Sequence, residues 1–335
     1  MLQILHGTKI DFMGARKIAY AFSALVLLAG FASLVMKGGP RPGIDFAGGT
    51  LLEVRMSQPV SAEDLRHAAD QAGMVGAEIQ TYPGTNDALF RVHEAHDQAA
   101  TPGSSPSSRL QSAMAASHPG VTVEVLRQEV VGPKVGRELT GKAFMAILFS
   151  VIAIMIYVAF RFHGWVFGIG AAIALFHDIL VTLGIFSILN KEIGLTVLAA
   201  FLTVAGYSVN DTIVVFDRVR ENLEKNKKAP LSDLMNLSIN QTLSRTILTV
   251  FTVMITAAAL FFLGGEVLRD FSLALLIGVG FGTYSSVFVA SALALDLDTW
   301  RRKGQAAKAA AAKAVPTPPA TSRKSGKSAQ AVGAR

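Results

Sequence analysis

The sequence predicts a polytopic α-helical membrane protein with six transmembrane helices and a small α+β ferredoxin-like domain between helices 1 and 2. Three observations lead there. The 335 residues are 51% hydrophobic with a mean hydropathy of +0.43, too apolar for an ordinary soluble chain. The apolar residues are gathered into six long runs, not spread as short amphipathic stripes. Between the first two runs lie residues 37–142, of ordinary soluble composition, with ten Lys/Arg against twelve Asp/Glu.

Residues 1–17 are polar and basic (Lys9, Arg16, Lys17), with apolar positions at Leu2, Ile4, Leu5, Ile10, Phe12 and Met13. That is the composition of an amphipathic segment lying along a membrane surface. Residues 18–36 are apolar throughout and read as the first span, an uncleaved anchor. A cleaved signal peptide is the rival reading. Its apolar core would be unusually long, and Lys37-Gly38-Gly39-Pro40 is a poor cleavage context.

Residues 37–142 read as a soluble domain. A strand is expected over 43–56 and a helix over 62–72, with Ser61 as its N-cap. Strands over 78–82 and 88–94 are joined across Pro83-Gly84-Thr85-Asn86-Asp87. Residues 101–108 form a Ser/Pro-rich loop, 109–117 a short helix and 121–130 a last strand. The order βαββαβ is that of a ferredoxin-like sandwich, with helices on one face of a four-stranded sheet. That fold has no function of its own.

Five further spans follow at 143–160, 165–189, 193–216, 247–263 and 271–295. At 1.5 Å per residue each reaches the roughly 30 Å hydrocarbon core, the run 247–263 only just. Arg161 with His163, the segment 217–245 and the C-terminal tail alternate with sparsely basic connections at Lys191 and Arg269. The positive-inside rule then puts both termini in the cytoplasm and residues 37–142 outside. The segment 217–245 is read as amphipathic helices at the cytoplasmic surface.

The tail, 299–335, carries nine Lys/Arg, no Asp/Glu, Ala/Lys repeats and Pro316, Pro318 and Pro319. It is expected to be disordered, either as a solubilising overhang or as an attractant for anionic lipid or an acidic partner. The formal net charge of +7 belongs mainly to this tail, which argues against a nucleic-acid-binding core. The absence of cysteine excludes disulfides, thiolate metal sites and cysteine nucleophiles and leaves the compartment open.

The chemistry gathers in the fourth span. Its polar face, Tyr207, Ser208, Asn210 and Asp211, leads to Asp217 and Arg218 at the cytoplasmic exit. A charged side chain inside a span costs roughly 2.5–3.5 kcal/mol on insertion scales, so it faces a polar cavity or a partner. Asp211 is therefore the candidate for proton or ion handling, against the plainer reading of Asn210 and Asp211 as helix-bridging groups. In the fifth span Arg245, Thr249, Thr252 and Thr256 fall on one face, with Thr242 extending it outward. Pairing of Arg245 with Asp211 is sterically reasonable. A nearby guanidinium favours the charged carboxylate and loss of water the protonated one. A site alternating between those environments alternately releases and binds a proton. Arg245 as a mere marker of the span's inner end is the competing reading.

In the third span Gly170, Ala174, Asp178 and Thr182 share a face, and Asp178 follows His177; a structural hydrogen bond to a neighbouring helix is the favoured role. Gly278 and Gly282 in the sixth span have the spacing of close helix packing. His67, His93 and His96 read as solvated surface residues. No P-loop, HExxH or post-strand GxGxxG is present, so no soluble catalytic centre, cofactor or metal is expected. An intramembrane aspartyl protease on Asp178 and Asp211 would need a Gly-x-Gly-Asp, and the chain has Ser208-Val209-Asn210-Asp211.

Several segments together resemble the SecD/SecF family of bacterial protein-export membrane proteins, within the resistance-nodulation-division (RND) superfamily. They are Gly43-Ile44-Asp45-Phe46-Ala47-Gly48-Gly49, the run from Val131 to Leu139, Phe176-His177-Asp178, Gly206 to Asn222, Gln241 to Thr246, and Ile277 to Ser286. The likeness is to the smaller, SecF-type members and covers residues 14–296. It implies half of an RND-type bundle in the bacterial inner membrane, with residues 37–142 in the periplasm. Pairing with SecD is implied, as is work beside the SecYEG channel, the SecA motor and the accessory YajC. The substrate would be an unfolded secretory preprotein, and the proton-motive force would drive late translocation and release, protons being the coupling ion with sodium as the alternative. The resemblance places the essential membrane carboxylate at Asp211 and its arginine at Arg245. Without it, the residues fit equally an RND-type exporter of small molecules or lipids, or a scaffold that conducts no protons.

Overall fold

The computed structural model describes residues 7–82, 84–92, 105–162 and 165–314. Leu2, Ile4, Leu5, His93, His96, His163 and the tail beyond residue 314 lie outside the described residues.

The small domain has the expected order. Strands β1 (Gly49–Met56), β2 (Glu78–Thr81), β3 (Asp87–Val92) and β4 (Val123–Val131) form one antiparallel sheet in the order β2-β3-β1-β4. A four-residue helix α2 (Ile44–Ala47) precedes β1; α3 (Ala62–Gln71) and α4 (Pro106–Ser117) follow β1 and β3. Period-two alternation sends Leu52, Val54 and Met56 of β1 and Ala88, Phe90 and Val92 of β3 to one face. There they meet Leu65, Ala68 and Ala69 of α3 and Leu110 and Met114 of α4. Ser61 caps α3 by accepting from the Asp64 amide at 3.1 Å. Helix α4 starts earlier than expected, because Ser105 caps it and Pro106 takes the first helical position, where its missing N–H costs nothing. His67 is exposed on α3.

The strand expected over 43–56 is interrupted. Gly48 and Gly49 have φ of 78° and 141°, a conformation open to glycine, and their turn separates α2 from β1.

Among the described residues six helices are long and apolar enough to cross a membrane: Arg16–Met36, Lys134–Arg161, Trp165–Ile188, Leu195–Lys225, Leu231–Leu263 and Leu268–Lys308. The first four are α1, the bulk of α5 (Pro133–Arg161), α6 and α7; the fifth is α8. The sixth comprises most of α9 (Gly265–Ser285), a π turn (Ser286–Ala290) and part of α10 (Ser291–Ala314). Helices α6 and α7 carry the buried core, packed against α9, while α1, α5 and α8 keep much of their apolar surface exposed. Helices α1 and α6 meet where a Cβ added to Gly30 would lie 2.7 Å from the Gly184 Cα.

The ends of the helices depart from expectation. Helix α5 begins at Pro133, so the soluble domain ends ten residues before the expected bound at 142. The segment 217–245 is not a separate surface element. Helix α7 continues to Lys225 and α8 begins at Leu231, because Asn222 bonds Ser238 at 2.8 Å and Arg218 bonds Gln241 at 2.7 Å, tying the polar extensions together. Residues 8–13 are not an amphipathic helix. Phe12 and Met13 are buried in the helix core, and the strap is held by Asn240, which bonds both the amide and the carbonyl of Ile10. Residues 299–314, expected to be disordered, are helical, in keeping with their run of alanine and lysine.

Candidate functional site: two buried aspartates in the helix bundle

Asp211 lies past the middle of α7 on the face formed by Ser208, Thr212 and Val215, and is buried. Thr246 of α8 donates its hydroxyl to Oδ1 at 2.9 Å. Ser286, opening the π turn, approaches Oδ2 at 3.4 Å, a looser contact than an ordinary hydroxyl hydrogen bond. Beside the carboxylate is a small cavity lined by Tyr207, Asn210, Thr249, Gly282 and Thr283.

Asp178, on α6, is completely buried. Its Oδ2 accepts from Ser208 of α7 at 2.5 Å and from Ser285 of α9 at 2.7 Å. Its Oδ1 is 2.9 Å from His177 Nδ1. A chain of bonds continues outward: His177 Nε2 to Ser23 of α1 at 3.1 Å, Ser23 to the Tyr284 hydroxyl at 3.0 Å, and that hydroxyl to the Ala19 carbonyl at 2.6 Å. Counting hydrogens along it fixes a protonation state. The carbonyl only accepts, so Tyr284 spends its one hydrogen there and accepts from Ser23; Ser23 therefore accepts from His177 Nε2. With Nε2 carrying a hydrogen, the contact between Nδ1 and Oδ1 requires one more. The His177–Asp178 pair thus shares one proton and is neutral as a unit.

The two sites are adjacent. Ser285 and Ser286 are consecutive, one on each aspartate, and Ser208 stands one turn before Asp211. Both aspartates are served by hydroxyls, which can donate to either protonation state's acceptor oxygen and carry no charge of their own. At Asp211, which has no ion-pair partner within 4 Å among the described residues, such a setting lets the carboxyl change charge without breaking an ion pair. Among the described residues no group of three or more His, Asp or Glu is placed to hold a metal ion.

The expected pairing of Asp211 with Arg245 is not made. Consecutive helical residues diverge by about 100°, and it is Thr246 that faces α7, leaving Arg245 exposed. The stripe Arg245, Thr249, Thr252 and Thr256 is likewise on the exposed side, its threonines bonding back to α8 carbonyls, although Thr249 borders the cavity. Thr242 is buried and bonds to Ser238. Asn210 and Tyr207 border the cavity and are exposed at its mouth. Gly170, Ala174, Asp178 and Thr182 are all buried along one face of α6. Gly278 and Gly282 sit against α7: a Cβ at Gly278 would be 2.4 Å from Val204, and one at Gly282 3.1 Å from Ser208. Sequence reasoning singled out neither Thr246, Ser285 nor Ser286 as ligands of the aspartates. Their only signal was a hydroxyl inside an apolar run.

Residues 111–300 match the family model for the protein export membrane protein SecD/SecF, C-terminal, and residues 34–60 match the SecD/SecF GG motif. The chain belongs to the SecD/SecF family of protein-export membrane proteins. It is 44% identical over 303 residues to the protein translocase subunit SecF of Thermodesulfovibrio yellowstonii, covering 89% of this chain and 97% of that one. To the protein translocase subunit SecF of Vibrio alginolyticus it is 45% identical over 298 residues, covering 89% and 93%. Among solved structures it is similar to SecDF of Thermus thermophilus, a translocon-associated membrane protein, with a TM-score of 0.75 and 36% identity over 88% of this chain. It spans only 39% of that SecDF chain. The GG-motif match contains the α2–β1 turn at Gly48–Gly49, and Asp178 and Asp211 both lie in the SecD/SecF C-terminal match.

Proposed function

We propose that this chain is the SecF-type subunit of a bacterial inner-membrane complex that uses the proton-motive force for late translocation and release of secretory preproteins. The observation that carries the reading is Asp211: a carboxylate buried in a span, bonded to hydroxyls, beside a small cavity. Proton movement across 100 mV releases about 2.3 kcal/mol, enough to bias the balance between two conformations of such a bundle. Protons are the coupling ion in this reading, and the chain performs no enzymatic chemistry and holds no cofactor.

Pairing with SecD is part of the proposal. Tyr207, Asn210, Arg245 and Thr249 stand on an exposed side of the bundle at span depth, where lipid is a poor solvent for them. A partner's helices would cover them, and the chain's length relative to the SecDF structure leaves room for such a partner. Arg245 would then act near Asp211 from within the paired interface. The basic connection between α7 and α8 and the basic residues after Asp298 support cytoplasmic termini in this reading, which sets the sheet domain in the periplasm beside SecYEG, with SecA and YajC as further partners.

The test is translocation of a preprotein into membrane vesicles containing this chain and its SecD partner, with and without a proton gradient. Asp211→Asn is expected to abolish the gradient-stimulated completion while ATP-driven initiation and complex assembly survive. Undiminished stimulation would make Asp211 structural and the chain a scaffold.

A further inference from the structure

The GG-motif segment does more than turn the chain into the sheet. It holds the connection between α6 and α7. Asp45 Oδ2 accepts from the amide of Leu195, the first residue of α7, at 2.7 Å. The helix's own N-cap, Gly194, has no side chain with which to do this. Ile193 is paired with the same segment through two backbone bonds, Gly43 N–H to its carbonyl at 2.8 Å and its own N–H to the Arg41 carbonyl at 2.9 Å. Glu192 forms ion pairs with Arg41 at 3.2 Å and with Arg91 of β3 at 2.9 Å. The fit is close: a Cβ on Gly194 would lie 2.8 Å from Asp45 Oδ2, and one on Gly43 3.3 Å from the Gly194 Cα.

On its other side α2 is equally confined. A Cβ on Gly136 of α5 would stand 2.6 Å from the Phe46 carbonyl, and the Gly48–Gly49 turn leads directly into the central strand β1. Displacement of the sheet therefore reaches the start of α7 through the Asp45 carboxylate, the short bridge at Ile193 and the Arg91–Glu192 ion pair, and of these only Asp45 bonds α7 itself. Helix α7 is continuous from there to Asp211.

We propose that Asp45 is a positioning residue for Asp211. It lends α7 the cap that Gly194 cannot supply, and it opposes the positive end of the helix dipole. In doing so it joins the sheet domain to the helix that carries the membrane carboxylate, so that movement of the sheet shifts Asp211 against Thr246 and Ser286. The inference rests on the proton role proposed above for Asp211.

The experiment uses the full chain with its SecD partner in proteoliposomes and compares Asp45→Ala and Asp45→Asn with wild type. Three readouts are taken: amide exchange over residues 195–198, the rate at which a hydrophobic carbodiimide modifies Asp211, and gradient-stimulated translocation. Asp45→Ala removes the cap and should raise exchange about fivefold. It should also change Asp211 modification by about twofold or more and lower the stimulation, by the same local free energy. Asp45→Asn keeps an acceptor oxygen and should restore all three toward wild type. Unchanged exchange in Asp45→Ala would overturn the contact. Raised exchange with wild-type modification of Asp211 would reduce Asp45 to a local cap and overturn the link. If Asp211→Asn has no effect on translocation, the proton role fails on its own, and the exchange and modification readouts still decide the link.

Discussion

Thr246 donates to Asp211 across the α7–α8 interface at 2.9 Å, while Arg245, its neighbour in sequence, stays on the exposed side. The immediate partner of the membrane carboxylate is thus a neutral hydroxyl. Thr246→Val keeps the volume and removes the donor, leaving Oδ1 unsatisfied at a cost of about 1–3 kcal/mol. Gradient-stimulated translocation should fall several-fold in Thr246→Val. In Thr249→Val it should fall less, because Thr249 borders the cavity without bonding Asp211.

Asp178 accepts from Ser208 and Ser285 and shares a proton with His177. Replacing it by alanine removes the acceptor of Ser208 and leaves His177 Nδ1 without its partner in the core, while Ser285 keeps its bond to the Gly282 carbonyl. Thermal unfolding in detergent should show a loss of about 3 kcal/mol or more for Asp178→Ala and of about 1 kcal/mol for Ser285→Ala. Equal losses would mean that the hydroxyls find other partners.

Three glycines give a graded packing test. Gly184→Ala places its methyl 2.8 Å from the Gly30 backbone, and Gly278→Ala sets its methyl against Val204, whereas Gly280 has nothing within 4 Å. The first two should destabilise the bundle by about 1–3 kcal/mol each, with Gly280→Ala nearly neutral, in the same unfolding assay.

In the sheet domain, hydrogen bonds from Arg55 to both oxygens of Asp87, at 2.8 and 3.0 Å, hold that carboxyl below its usual range of ionisation. The folded value is depressed, so the pair's contribution is complete above the ordinary value of 3.8 and is lost as pH falls through the lower, folded one. Arg55 is more than half exposed, so the effect is modest and weakened by salt. Amide exchange in β1 and β3, corrected for intrinsic rates, should accelerate below that range in wild type and not in Asp87→Asn. At pH 5 and above wild type should be modestly better protected than Asp87→Asn, and the two should converge at low pH, where the pair is lost.

Much of this architecture was legible because a bilayer demands it. Six apolar runs had to be helices, and aspartates at 178 and 211 inside two of them had to be paired with something. The partners were not legible. Whether Arg245 or Thr246 faces α7 depends on a rotation about the α8 axis that neighbouring helices set, and a hydroxyl in an apolar run has no distinctive period. The polar ends of α5, α7 and α8 were assigned to other elements because hydropathy stops where the lipid does, whereas the hydrogen-bonded helix continues. The α2 turn was hidden in a segment whose composition reads as extended. Its shape follows from two glycines and from contacts 150 residues away.

The π turn at Ser286–Ala290 has a consequence for the phase of the last span. An α-helix would close its backbone bonds four residues apart; in the π turn they close five apart, and the Ser291 hydroxyl also donates to the Ser286 carbonyl at 2.9 Å. The turn is a dislocation in the helical lattice, a single surplus residue absorbed without unwinding. Beyond it, residues 291–295 are rotated by about 100° from the course α9 would otherwise take. Deleting one residue within 286–290 would heal the dislocation and re-aim either the serines or everything after them. Migration of the dislocation by one residue would turn Ser286 away from Asp211 while leaving both flanking helices intact.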